Sequence, residues 1–443
     1  MHHHSEPDFF ENLRSEFSGW RQWLDRAIVL GYAALAGLAV VGFTLAANWA
    51  FSGFQWLYEQ HAWAVLLWTP ACTAGIVWAT RCWCPGAAGS GIPQVKAALS
   101  PGLPPQQVGR FASLRLSCAK MALCTASFAA GLSVGREGPS VQVAAGLMQH
   151  ARRWLSPNSQ VNLHALLVAG GAAGIAAAFN APLAGVVFAI EELTGRIEAR
   201  TSGVIIAAIV LAGLVAVSAF GNLSYFGVIR VPRLGWDVVL PGLLVALAAG
   251  AAGGLFARLM IASLTNAPQR LNAWRARFPV RFAAAGGLLL ALMGLASGGA
   301  TFGAGSEAVH QMLEGHAELT PLYTLLKFIA TWVTSWCGVP GGIFAPSLSI
   351  GAGIGGSIAQ WAASPGLGAP LIAMGMAAFL AAVTQAPLTA FIIVMEMVDG
   401  HAMVLSLMAS ALLASVVSRM ISRPLYEALA DHMLKSVSPQ ARP

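Results

Sequence analysis

Charge is what this sequence is short of. Only 10% of its 443 residues are Asp, Glu, Lys or Arg, against about 25% in soluble domains, and that shortage excludes an ordinary soluble globular enzyme. No charged residue lies between Phe328 and Met395. Ala27–Tyr58, Thr201–Ile229, Val238–Ala257 and Phe282–Ser306 are likewise charge-free, and each meets the length of about 20 apolar residues that a membrane-crossing helix needs. The net charge of +7 comes from dispersed basic residues flanking apolar runs, which is a topology signal and no nucleic-acid footprint. Cysteine is scarce too. Cys82 and Cys84 have no second pair or clustered histidines, so no zinc site is expected; the cysteines read as small, reduced packing residues. No HExxH, paired-aspartate or nucleophile motif is present, which disfavours an intramembrane enzyme. A signal-peptide pattern is missing as well. Residues 9–26 alternate charged and aromatic side chains, which suits an amphipathic helix on the membrane surface or a solvated leader. His2–His4 read as a tag remnant or native sequence before a metal site.

Glycine and proline are abundant, at 48 and 23 residues, and they interrupt the apolar stretches. Breaks fall at Gly89–Pro93, Gly135–Pro139, Phe179–Pro182, Gly338–Pro346 and Gln385–Pro387. Non-helical backbone at membrane depth survives only inside protein or along a cavity, so re-entrant, half-spanning helices are expected. The chain also repeats itself. Gly135-Arg-Glu-Gly-Pro-Ser140 aligns with Gly342-Ile-Phe-Ala-Pro-Ser347, and Ala181-Pro-Leu183 with Ala386-Pro-Leu388; nine residues after each proline of the second pair stand Glu191 and Glu396. Duplication explains these matches, and paired broken segments are the best sequence pointer to a transporter's binding site. Four parts result: an amphipathic segment at 1–26, a first membrane half at 27–220, a second at 235–426 and a short tail at 427–443. The Arg-rich stretch Pro268–Arg281 reads as a loop or helix end outside the hydrocarbon. Whether the halves are parallel or inverted does not follow from the letters.

Several constellations carry chemistry. Gly89-Ser90-Gly91-Ile92-Pro93 predicts a helix start with free N–H groups and a hydroxyl beside them, an anion site or simply a turn. Arg136 and Glu137 sit in a break after an apolar run; ionisable residues at membrane depth are costly and usually functional, although the two could merely pair at a helix cap. Gly341-Gly342-Ile343-Phe344-Ala345-Pro346 repeats that geometry without charge. Glu191 and Glu192 close an apolar run, as a cap and a solvated residue or as a proton station. Tyr426 alone reads as an interfacial anchor.

Together, GSGIP at 89–93, GREGP at 135–139, FNAPLAGVVFAIEE at 179–192, GGIFAP at 341–346, QAPLTAFIIVMEM at 385–397 and the late tyrosine resemble the CLC chloride channel and transporter family, across Ala27–Tyr426. The resemblance implies an all-α polytopic membrane protein of two inverted-topology repeats built from tilted, broken and re-entrant helices. It implies a homodimer in membrane lipid, one pathway per subunit, chloride and protons as transported partners, no nucleic acid, no cofactor and a bacterial inner (plasma) membrane location. Ser90, Gly91, Ile92, Ile343, Phe344 and Tyr426 would bind the anion, Glu137 would gate it, Glu192 would pass protons from inside, and Lys120 would add positive potential. Joint presence of Glu137 and Glu192 favours a proton/chloride antiporter over a passive Glu137-gated chloride channel. Ser90 matches the chloride-type residue, which disfavours fluoride or nitrate. The chain departs from the family after GSGIP, where Gln94 and Lys96 replace familiar acidic residues; Lys96 is expected to concentrate positive charge beside Lys120. The regulatory domains of many eukaryotic members are not in these residues, so nucleotide regulation is not implied.

Overall fold

A computed structural model describes residues 20–195, 199–221, 226, 235–265, 270–315, 321–362 and 366–437. Among the described residues the chain is helical, and β pairing is confined to two isolated bridges. The first half comprises α1 (Trp20–Gln60), α2 (Val65–Trp83), α3 (Ile92–Ala98), α4 (Leu114–Ala129), α5 (Glu137–Ala151), α6 (Leu163–Phe179), α7 (Pro182–Phe188), which continues into a π-helical turn at Ala189–Thr194, and α8 (Ala199–Phe220). The second comprises α9 (Val239–Leu264), α10 (Arg270–Arg277), α11 (Pro279–Ala296), α12 (Ser306–Leu313), α13 (Pro321–Cys337), α14 (Phe344–Ala362), α15 (Gly368–Thr384), α16 (Pro387–Met397) and α17 (Val404–Arg419); α18 (Leu425–Val437) follows.

Among the described residues six helices are long and apolar enough to cross a membrane, and the protein is an integral membrane protein. At 41 residues α1 is roughly 60 Å long, twice the hydrocarbon thickness of about 30 Å, so it must tilt or project. The other extreme is α6 and α15, each of 17 residues and buried along nearly their whole length. These end as the sequence breaks foretell. Asn180 and Gln385 take left-handed C-cap conformations (φ 56° and 59°), and Pro182 and Pro387 start the next helices, where the missing proline N–H costs nothing.

The halves meet reciprocally. Glu191 accepts from the N–H groups of Leu388 and Thr389 at 3.0 and 2.6 Å, while Glu396 accepts from Leu183 and Ala184 at 3.2 and 2.7 Å. Each carboxylate caps the counterpart helix of the other half, and such mutual exchange is what a two-fold relation produces. The antiparallel bridge between Gly135 and Gly342 joins two more equivalent positions, and the halves are inverted on one another. Replacing Glu396 by Ala is expected to orphan two N–H groups at the start of α7 and to cost about 1–2 kcal/mol, read as a lower unfolding temperature in detergent; Glu191→Ala should cost a similar amount.

One face of the bundle is basic. Arg21 and Arg26 open α1, Arg81 closes α2, Arg115 opens α4, and Arg152 and Arg153 follow α5. Contacts join two pairs of these ends: Arg115 donates to the Trp83 carbonyl at 3.2 Å, and Asp25 accepts from the Ser156 N–H and hydroxyl at 2.9 and 2.7 Å. The positive-inside rule predicts that this face is the cytoplasmic one.

Two boundaries differ from the sequence reading. Trp20–Arg26 belong to α1 itself, the rest of the proposed amphipathic segment lying outside the described residues. The supposed tail from 427 is largely α18, because Leu425, Tyr426, Leu429 and Ala430 form an apolar face buried in part against α3. In the Arg-rich stretch, residues 270–277 form α10, while 268 and 269 lie outside the described residues. All six cysteines are free.

Candidate functional site

Three glycine-rich breaks converge backbone on backbone. Gly135 and Gly342 exchange N–H···O bonds of 2.8 and 2.7 Å, and Gly89 pairs with Val339 and Gly341 at 3.2 and 3.1 Å. Two positions require glycine: Gly91 has φ 114°, and a Cβ on Gly138 would run into the Ser90 hydroxyl. The result brings the N-termini of α3, α5 and α14 to one place, with first-turn N–H groups that have no intrahelical acceptor.

Into the same region project Ser90, from the loop before α3, and Tyr426, from α18. Both hydroxyls are buried and neither has a hydrogen-bond partner of good geometry, although the two side chains are near neighbours. Phe344 packs against Tyr426 with ring centroids 6.1 Å apart, and Phe179 stacks on Phe344 at 6.2 Å. Two orphan hydroxyls beside free N–H groups make an arrangement that can hold an anion without supplying an opposite charge. Burial of a bare ion costs far more than such dipoles' own desolvation, while the absence of a full counter-charge lets the ion leave.

Glu137 opens α5 and is buried. Its Oε2 accepts from the Ala345 N–H at 3.4 Å, so the carboxylate lies at the start of α14, beside the Ile343 and Phe344 positions. Arg136 does not neutralise it by a simple local pair alone, since its guanidinium also donates to Asn48 at 2.8 Å. A cavity of about 810 Å³ opens on the side away from the basic face; Asn48, Tyr58, Arg136, Glu137, Ser306 and Glu307 are among its lining.

Glu192 stands in the π-helical turn after α7, a distortion often found at functional positions. Its carboxylate meets the Lys96 ammonium at 2.7 Å. The expectation that Lys96 adds its charge to Lys120 is therefore corrected: Lys96 is matched by a carboxylate. Lys120 is fully buried and donates to the carbonyls of Ala87 and Gly89 at 2.7 and 2.6 Å, holding the loop that carries Ser90. Gly91 also needs correction as an anion donor. Its N–H is taken by the Gln94 side chain at 2.9 Å, because a glutamine at the third helical position reaches back to the cap. Of that pair only the Ile92 N–H remains, since Pro93 has none.

Lys327 was missed by the sequence reading. It too is fully buried, and it donates to the carbonyls of Thr301 and Gly303 at 3.0 and 2.7 Å. This repeats the Lys120 arrangement in the second half, on the loop of the outer cavity wall. The signal was available: Lys327 follows Lys120 at the same 207-residue interval that relates Gly135 to Gly342.

Broken helices whose N-termini face one buried polar cradle, in an inverted duplication, define a membrane ion-transport protein. The family model described as "Voltage gated chloride channel" matches residues 72–419, and the chain belongs to that family. It is 32% identical over 430 residues to the "H(+)/Cl(-) exchange transporter ClcA" of Cronobacter sakazakii, covering 90% of this chain and 88% of the relative. The protein of that name from Klebsiella pneumoniae subsp. pneumoniae is 32% identical over 437 residues, covering 92% and 88%. Among solved structures, a slow cyanobacterial Cl-/H+ antiporter superposes with a TM-score of 0.76 at 26% identity, covering 94% of this chain and 99% of that one. A CLC-type fluoride/proton antiporter gives 0.76 at 21% identity, covering 96% and 99%, and supports the fold alone.

Proposed function

We propose that this protein is a secondary active antiporter that moves chloride across the membrane in exchange for protons. The observation that carries the reading is a pair of buried carboxylates, Glu137 and Glu192, both within electrostatic reach of Tyr426. Chloride is held by the Ser90 and Tyr426 hydroxyls and the N–H groups of Ile92, Ile343 and Phe344. Ionised Glu137 competes with chloride for the donors at the start of α14; protonated Glu137 withdraws and lets the anion pass. Glu192, on the cytoplasmic side, loads protons by a route separate from chloride's. Lys120 acts through the loop it holds and through its positive potential. Binding of the anion and of the proton are then linked reciprocally. The exchange transporters among the relatives favour this over a passive channel gated by Glu137.

The reading involves no bond-making chemistry on a substrate. The functional unit is a homodimer in a bacterial inner (plasma) membrane, and each inverted half, about 27–220 and 235–426, supplies part of one pathway. Leu183, Leu214, Leu388, Leu412 and Val416 are exposed apolar residues on α7, α8, α16 and α17, the surface we assign to subunit pairing, while the remaining exposed apolar surface faces lipid.

The test is purified protein in liposomes with a chloride gradient, external pH being recorded under a voltage clamp set by a potassium ionophore. Protons driven uphill by chloride are the expected result. Chloride movement with no proton movement would make this a channel, and absence of both from folded protein would remove the pathway assignment.

A further inference from the structure

Lys96 has no role in the chloride cradle, yet among the described residues it is the side chain that pairs with the inner proton carboxylate. Its Nζ lies 2.7 Å from Glu192 Oε1, the two side chains being 22% and 6% exposed, so the ammonium is the partner nearer to water. It reaches Glu192 from the last turn of α3, the helix whose first turn stands at the anion cradle. We propose that Lys96 is a positioning residue of proton transfer: it seats ionised Glu192 at the cytoplasmic end of the pathway and releases it when a proton arrives. The inference rests on the antiporter reading.

The surroundings favour such a clamp. Glu191, the neighbouring residue, is fixed on the Leu388 and Thr389 N–H groups, which anchors the backbone of the π-helical turn. Among the groups facing Glu192, α18 brings Glu427 within electrostatic reach and also the neutral phenol of Tyr426. α16 also packs on this turn, and its Glu396 is committed to the Leu183 and Ala184 N–H groups. The sole titratable residue of α6 is His164 in its first turn; Gly171, where α6 meets Leu193, lies roughly two turns further on. Lys96 is thus the cation opposite this carboxylate, with acidic neighbours around it.

A carboxylate beside an ammonium is held by Coulomb attraction and a charge-assisted hydrogen bond. A proton taken from cytoplasmic water onto Glu192 removes the negative charge, and the attraction falls to that of a neutral acid. Only the loaded side chain is then free to turn inward and pass its proton toward Glu137, after which the ionised form returns to Lys96. Occupancy and position are coupled by one contact. Opposite charges at this distance shift a carboxylate's proton equilibrium by about one unit or more.

Full-length protein in liposomes, with internal pH varied, tests this through Lys96→Met, Lys96→Gln and Lys96→Arg. The internal pH that half-activates proton flux should rise by about one unit in the first two variants and stay at the parental value in the arginine variant. Either neutral variant reconstituting as a folded protein suffices. An unaltered profile in a parent that does couple protons to chloride overturns the role of Lys96 alone. A parent that moves chloride without protons overturns the antiporter reading, and the role of Lys96 falls with it.

Discussion

Replacing Glu137 by Gln is expected to stop the protons and leave the chloride moving. Glutamine has the shape of a protonated glutamate, so it keeps the packing at the start of α5 while losing two properties at once. It carries no proton to hand on, and it carries no negative charge to compete for the donors at the start of α14. The wild-type contact shows why both matter. Glu137 accepts from the Ala345 N–H, and the Phe344 and Ile343 N–H groups assigned to chloride are the adjacent ones along the same backbone. A negative carboxylate and an anion cannot share that turn without repulsion, so each disfavours the other, and chloride occupancy promotes uptake of a proton by Glu137. With glutamine the linkage has no carrier. Proton movement in the liposome assay should fall to the passive leak of the vesicles, while chloride efflux persists and no longer responds to a pH gradient. Retained uphill proton movement would mean that the proton passes by another residue.

The second carboxylate gives a different loss. Glu192→Gln leaves the competition at Glu137 intact and removes only the inner supply of protons. Coupling fails in both variants, but Glu137 should keep its influence on chloride in the second. That distinction separates a gate from a relay, and it follows from where each side chain sits: one at two helix N-termini, the other in a turn facing an ammonium.

Much of this architecture was legible in the letters, for physical reasons that also explain what was not. Charge-free runs reveal spans because lipid leaves no alternative to helices, and the Gly and Pro breaks reveal the cradle because close backbone approach and helix starts demand those residue types. The interval of 207 residues exposed the duplication and, applied once more, would have found Lys327. Gln94 at the third helical position was a readable sign that the Gly91 N–H was occupied. Contacts between distant charged residues were not readable. Lys96 and Glu192 are 96 positions apart, and nothing local states that a π-helical turn aims one at the other. Lys120 finds carbonyls rather than a carboxylate, a partner that every residue offers and no sequence pattern marks. The exchange between Glu191 and Glu396 depends on the two-fold relation, which the letters left open. Positions dictated by backbone sterics were therefore visible, and positions dictated by side-chain reach across the bundle were not.

Sterics also set the last expected effect, at Gly138. A methyl group there is expected to weaken chloride binding severely, because its Cβ would overlap the Ser90 hydroxyl and approach the Ser90 carbonyl to 3.0 Å. Neither neighbour can yield freely. Ser90 lies in the loop fixed by Lys120 through the Gly89 carbonyl, and Gly138 lies in the first turn of α5, two residues before which Gly135 is locked to Gly342. Overpacking of this kind costs about 1–3 kcal/mol, equivalent to roughly 5- to 150-fold in an equilibrium. Calorimetric chloride affinity in detergent should fall by a factor in that range for Gly138→Ala, with transport falling alongside it. The Ser90→Ala background discriminates clash from a general loss of folding. Removing the hydroxyl takes away the atom that the new methyl would strike, so the added cost of Gly138→Ala should be much smaller there than in the parent. Equal costs in both backgrounds would show that the methyl acts through the backbone of α5 instead, and that the serine hydroxyl is not the group pressed against this helix.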